Sequence, residues 1–75
     1  MREIAIIPRP GVDVGMEMFA SISYLTRAGI YARSAAVGFA CAIVWVDDEE
    51  ISVSVDVLRS NGFEAAILTE TDKSF

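Results

Sequence analysis

The sequence predicts a small α+β domain in which two helices cover one face of a four-stranded antiparallel sheet. Three observations carry that expectation. Four short apolar runs are bounded by glycine, proline or charge, two further segments have helical spacing, and both of those segments end on a glycine.

Glu3 to Ile7 is isoleucine-rich and closed by Pro8, which has no N–H to give to a sheet ladder, so it reads as a first strand. From Met16 to Ala28 the period changes: Met18, Ile22 and Leu25 fall at i, i+4 and i+7, the apolar stripe of a helix. Glu17 suits its positive end, Arg27 its negative end, and Gly29 supplies the left-handed residue that stops it. Ile30 to Val37 and Phe39 to Val46 are extended runs joined around Gly38, a hairpin whose second strand is apolar on both faces and therefore central in its sheet.

In "DDEEISVSVDVLRSNGF" two patterns compete. Ile51, Val53, Val55 and Val57 alternate with polar residues as in a strand, while Ile51, Val55 and Leu58 form an i, i+4, i+7 stripe. A helix over residues 49–60 is favoured, because Asp47 or Asp48 can cap it, Glu49 and Glu50 load its first turn and Asn61-Gly62 ends it. Phe63 to Leu68 forms the last strand. One domain over residues 1–68 is expected, followed by a polar tail, 69–75. Right-handed crossovers fold this order into a ferredoxin-like βαββαβ sandwich. Neither face of its sheet would be polar, so a second copy is the simplest cover for the open side or the edge strand.

At 75 residues the chain has room for one core, yet 53% of its residues are hydrophobic and only 23% charged, a balance that favours self-association as a homodimer or tetramer. The lone Cys41 has no partner for an internal disulfide, and no stretch has the layout of a signal peptide, which makes the cytoplasm the expected location. No apolar run reaches the length of about 18 residues that a membrane-spanning helix needs. Six Lys+Arg against 11 Asp+Glu give a net charge of -5, which repels phosphate backbones and argues against nucleic acid.

"SYLTRAGI", a hairpin ending "AIVWVDDEE" and then "VDVLRSNGFEA" together resemble the ACT domain, a small regulatory module that binds amino acids in many metabolic enzymes. Leu25, Ala28, Gly29 and Ile30 match the close of its first helix, Asp47 and Asp48 the acidic end of its third strand, and Leu58, Gly62 and Phe63 the close of its second helix. The match spans nearly the whole chain and rests on the order and spacing of these motifs. Family members carry Pro-Gly at the start of the first helix, whereas Pro10-Gly11 here stands earlier and Met16-Glu17 take that place. The longer loop looks more like those of aspartokinase-type and stand-alone ACT domains.

The resemblance implies a regulatory module without catalytic residues or cofactor, passing its signal to a partner such as a metabolic enzyme. It also implies an amino-acid site at a homodimer interface, built from the loop of Arg9, Gly11, Val12, Asp13, Val14, Gly15, Met16 and Glu17 and closed by the partner's edge strand, Ile30, Tyr31, Ala32, Arg33 and Ser34. The residue types suit that chemistry. Backbone N–H groups of Gly15, Met16 and Glu17 at a helix start can bind a carboxylate, Asp13 can take an ammonium group, and Arg9 can pair with a carboxylate. Equally, Asp13 can cap the helix, Arg9 can be solvated and the glycines can simply shape a turn. The same fold can also serve as an oligomerisation element that binds no ligand.

Other chemistries have less support. There is no histidine to act as a base near neutral pH and no Cys-x-x-Cys, and Cys41 suits a small strand residue better than a nucleophile. Asp47 to Glu50 lack the alternating oxygen ligands and the glycine of a calcium loop, so no metal is expected there. Gly38, Phe39 and Ala40 match part of an RNA-recognition motif, but Val37 replaces its basic residue and Cys41 and Val44 its stacking aromatics. An exposed Phe39 or Trp45 would favour that reading.

Overall fold

The computed structural model describes residues 1–68 of the chain, and the polar tail lies outside them. Strands β1 (Arg2–Ile7), β2 (Arg33–Val37), β3 (Ala42–Val46) and β4 (Glu64–Leu68) form one antiparallel sheet in the order β2-β3-β1-β4. Helices α1 (Val14–Arg27) and α2 (Ile51–Ser60) pack against the sheet and against each other, with a single 3₁₀ turn, Asp48–Glu50, leading into α2. The segment with competing patterns is thus helical. A helix stripe buries Val55 and Leu58, and Val53, which only a strand would have used, is left exposed.

Both helices stop by the same device. At the end of α1, Ile30 N–H donates to Leu25 C=O (2.9 Å) and Gly29 N–H to Thr26 C=O (3.0 Å), with Gly29 at φ 83°. At the end of α2, Phe63 N–H donates to Leu58 C=O (3.0 Å) and Gly62 N–H to Arg59 C=O (3.1 Å), with Gly62 at φ 88°. These are Schellman closures, in which a left-handed glycine lets the next residue fold back over the helix end. Their apolar partners are all core residues, Leu25 with Ile30 and Leu58 with Phe63. Turning Ile30 into the core also shortens the second strand. Residues 30–32 are not in the ladder, and pairing begins at Arg33.

The third strand is shorter than expected as well, because Gly38 N–H bonds Cys41 C=O (2.9 Å) and holds residues 38–41 as a turn that carries a fully exposed Phe39. Between Ser34 and Ala36 the β2–β3 register shifts by one residue. No side chain caps the start of α2; the 3₁₀ turn takes that role, and the expected caps Asp47 and Asp48 make no capping bond.

Ladder register assigns the faces. On the helix side, Ile67, Ile4, Val44 and Ser34 form one row and Ala65, Ile6, Ala42 and Val37 the next. Ile4, Ile6, Ala42 and Val44 are fully buried there, against Met18, Leu25, Val55 and Leu58. On the other side the rows read Leu68, Glu3, Trp45, Arg33 and then Ala66, Ala5, Ile43, Ala36, with no helix among the described residues over them. No helix among the described residues is long and apolar enough to cross a membrane.

Two serines lie in the helical layer with no exposed surface, Ser21 on α1 and Ser54 on α2. Ser21 Oγ donates to Met18 C=O at 2.7 Å, whereas Ser54 Oγ has no partner among the described residues. A buried hydroxyl without a hydrogen bond costs about 1–3 kcal/mol, and serine is a poorer helix former than alanine. Ser54→Ala is therefore expected to raise stability by about 1 kcal/mol in urea denaturation, at unchanged m-value.

Candidate functional site

The turn from Arg9 to Glu17 is closed on itself. Pro8 ends β1, and Val12 N–H then donates to Arg9 C=O (3.0 Å) across Pro10 and Gly11, the latter at φ 82°. Proline followed by a left-handed glycine is the pattern of a type II turn, which accounts for Pro10-Gly11 standing ahead of the helix. Asp13 comes next as the N-cap of α1, its Oδ2 accepting from Met16 N–H at 3.2 Å.

Glu17 then reaches back from the first turn of α1. Its Oε2 accepts from the Arg9 backbone N–H (3.1 Å) and from Arg9 Nε (2.8 Å), and its Oε1 from Arg9 Nη2 (2.8 Å). The Glu17 side chain is 1% exposed and that of Arg9 42%, so the carboxylate is the buried partner and the guanidinium its cover. The Arg9 side-chain hydrogen bonds hold the Glu17 carboxyl below the usual glutamate range against the opposing pull of burial, and the same contact raises Arg9.

Arg9 also ties this turn to the end of α2. Its guanidinium carbon stands 4.5 Å from the Phe63 ring centroid, Phe63 meets Tyr24 edge to face at 5.4 Å, and Arg27 lies 5.2 Å from the Tyr24 centroid. Between the β1–α1 turn and the α2–β4 turn opens a cleft of about 490 Å³. Its apolar lining includes Ile7, Pro10, Phe63 and Ala66, and its charged lining is Arg9, Arg59 and Glu64. Arg59 Nε donates to Ala65 C=O (3.0 Å), which fixes the side chain while leaving its terminal nitrogens without a hydrogen bond among the described residues.

Most of the sequence-predicted loop faces away from this cleft or is occupied. Asp13 caps the helix, its own C=O accepts from Glu17 N–H (2.9 Å), and its side chain holds Met16 N–H, so two of the three amides proposed for a carboxylate are engaged. A Cβ at Gly15 would stand 3.2 Å from Asp13 Oδ2, a tight fit that the bare glycine avoids. Gly11 shapes the turn, Val12 and Met16 are exposed, and Val14 packs partly against the core. Of the predicted set only Arg9 lines the cleft. In the expected partner strand, Ile30 and Ala32 are buried in this chain's own core, leaving Tyr31, Arg33 and Ser34 exposed.

Arg59, Phe63 and Glu64 were not marked as site residues by sequence pattern. One signal was present: the glycine stop at Gly62 turns the chain from α2 into the start of β4, beside the end of β1. No group of three metal-capable side chains occurs among the described residues. Comparison with family models, with curated proteins and with solved structures finds no match to this chain.

Removing the Glu17 charge leaves Arg9 without its acceptor and sets an amide NH₂ against guanidinium donors. Glu17→Gln is expected to cost about 1–3 kcal/mol at neutral pH. Because the folded carboxyl titrates below its unfolded value, this contribution is complete above about pH 4.3 and is lost as pH falls through the lower folded value. Denaturant titrations of both proteins from neutral pH downward should show the gap constant at first and closing only in that acid range.

Proposed function

We propose that this chain is a regulatory module of ferredoxin-like fold, similar to ACT domains, that binds a small zwitterion, an α-amino acid, in the cleft between the β1–α1 and α2–β4 turns. One observation carries the reading: Arg59 and Glu64, of opposite charge, border one cleft together with apolar Phe63 and Ala66. The terminal nitrogens of Arg59, without a hydrogen bond among the described residues, suit a carboxylate, Glu64 suits an ammonium group, and Phe63 with Ala66 offers a surface for an apolar side chain. A cleft of about 490 Å³ is in the size range of small-molecule sites. Unlike the two-chain pocket that the family resemblance implies, every group in this site belongs to a single chain. The strand order β2-β3-β1-β4, with both helices packed together against the sheet, supports the fold assignment. Ligand would bridge the two turns, and the regulatory output would pass to a partner enzyme.

Nucleic acid fits less well. Phe39 is fully exposed, but it lies in a turn off the sheet, and the open sheet face sets Glu3 beside Trp45 in a chain of net charge -5.

A thermal-shift screen against the twenty amino acids tests the proposal. A ligand at about 100 times its Kd adds about 2.7 kcal/mol, which is several degrees for a domain of this size. Arg59→Gln and Glu64→Gln should each abolish the shift, while Val12→Ala on the exposed turn should leave it intact. No shift with any amino acid, or a shift indifferent to Arg59 and Glu64, would contradict the assignment.

A further inference from the structure

The chain carries six Lys+Arg against 11 Asp+Glu, yet the cleft between the two turns inverts that balance: its charged lining is two arginines, Arg9 and Arg59, to one acid, Glu64. No ion pair among the described residues joins Glu64 to either arginine. The α-carboxylate and ammonium of an amino acid answer Arg59 and Glu64, which leaves Arg9 as the charge that the ligand's side chain must meet.

Arg9 is engaged on one edge only. A guanidinium carries five N–H donors on three nitrogens, so it presents a side-on fork, Nε with one Nη, and an end-on fork made of both Nη groups. Glu17 takes the side-on fork through Nε and Nη2. Nη1 makes no hydrogen bond among the described residues and stands at the cleft wall: a Cβ on Gly62 would lie 3.7 Å from it, and both residues line the cleft. The Arg9 side chain is partly exposed, which leaves the end-on edge open to a ligand. Held by Glu17 and stacked 4.5 Å over the Phe63 ring, the guanidinium is already in place, so binding need not order it.

The geometry points to a dicarboxylic α-amino acid, aspartate or glutamate, as the ligand of this cleft, with its side-chain carboxylate on the end-on edge of Arg9; the assignment rests on the amino-acid reading above and narrows it. Phe63 and Ala66 then take the methylene stem. Arg59 is anchored at Ala65 C=O and Arg9 Nη1 lies against Gly62. These two backbone positions are separated by at most ~11 Å of chain, so a ligand that spans both guanidiniums is short. An apolar side chain would cover the Nη1 donors and shut them from water without a partner. A primary amide would set its own NH₂ against them and offer one acceptor oxygen in place of two.

Isothermal titration calorimetry of the full chain with glutamate, aspartate, glutamine, asparagine and leucine tests the assignment. One of the acids is expected to bind at least about tenfold more tightly than its own amide and than leucine, a modest factor because Arg9 is partly exposed. Arg9→Lys keeps a cation beside Glu17 but has no planar fork to share between two carboxylates, so the acid-to-amide ratio should fall towards one. Circular dichroism checks that this variant folds, and the ratio in the unaltered chain is a test that does not depend on it. An amide or leucine bound as tightly as the acids, with binding still dependent on Arg59 and Glu64, would overturn the inference and leave the amino-acid reading standing. An acid preference unchanged in folded Arg9→Lys would overturn it as well. So would no binding by either acid, and the screen of all twenty amino acids then shows whether the wider reading fails with it.

Discussion

The contact on which the rest of this structure depends is the pairing of Glu17 with Arg9. A carboxylate that is 1% exposed can stay charged only if its oxygens are filled, and all three donors come from one residue eight positions earlier. That requirement closes the β1–α1 connection into a rigid turn. It also lays the guanidinium over Phe63, joining the first βα unit to the second, because Phe63 is the residue that folds back over the end of α2. The cleft exists because those two turns are held side by side without filling the space between them.

The same pairing redirects the functional reading. A loop rich in glycine ahead of a helix suggests an anion site made of backbone amides, but here Asp13 already occupies the helix start and Glu17 already occupies Arg9. The loop borders the neighbouring cleft through Arg9, the one residue of the predicted set that lines it. The cleft's other charges are on the opposite turn, where Arg59 is steadied by a backbone carbonyl and Glu64 opens β4.

How much of this was legible follows from the range of each interaction. Pro8, Gly29 and Gly62 act on their own backbone or on residues within one helical turn, so the ends of β1, α1 and α2 can be read from the chain. The residues that carry the ACT resemblance at the helix ends, Leu25 with Gly29 and Ile30 and Leu58 with Gly62 and Phe63, are the Schellman closures, and so they report how helices stop. The register shift in β2 was not legible, because Ser34, Ala35 and Ala36 are all small and give no apolar alternation to fix a register. Arg9, Asp13 and Glu17 each had two reasonable roles, and only the folded turn chooses between them. Arg59 and Glu64 gave no signal as a pair, since it is the turn at Gly62 that brings them to one cleft.

The most direct test of the central claim, that binding belongs to the cleft beside a closed loop, is an amide chemical-shift titration of the isotopically labelled chain with the amino acids. The account predicts changes concentrated at Arg9, Arg59 and Gly62 to Ala66, with Gly15, Met16 and Glu17 nearly unmoved. Changes centred on the start of α1, or none at saturating ligand, would contradict it.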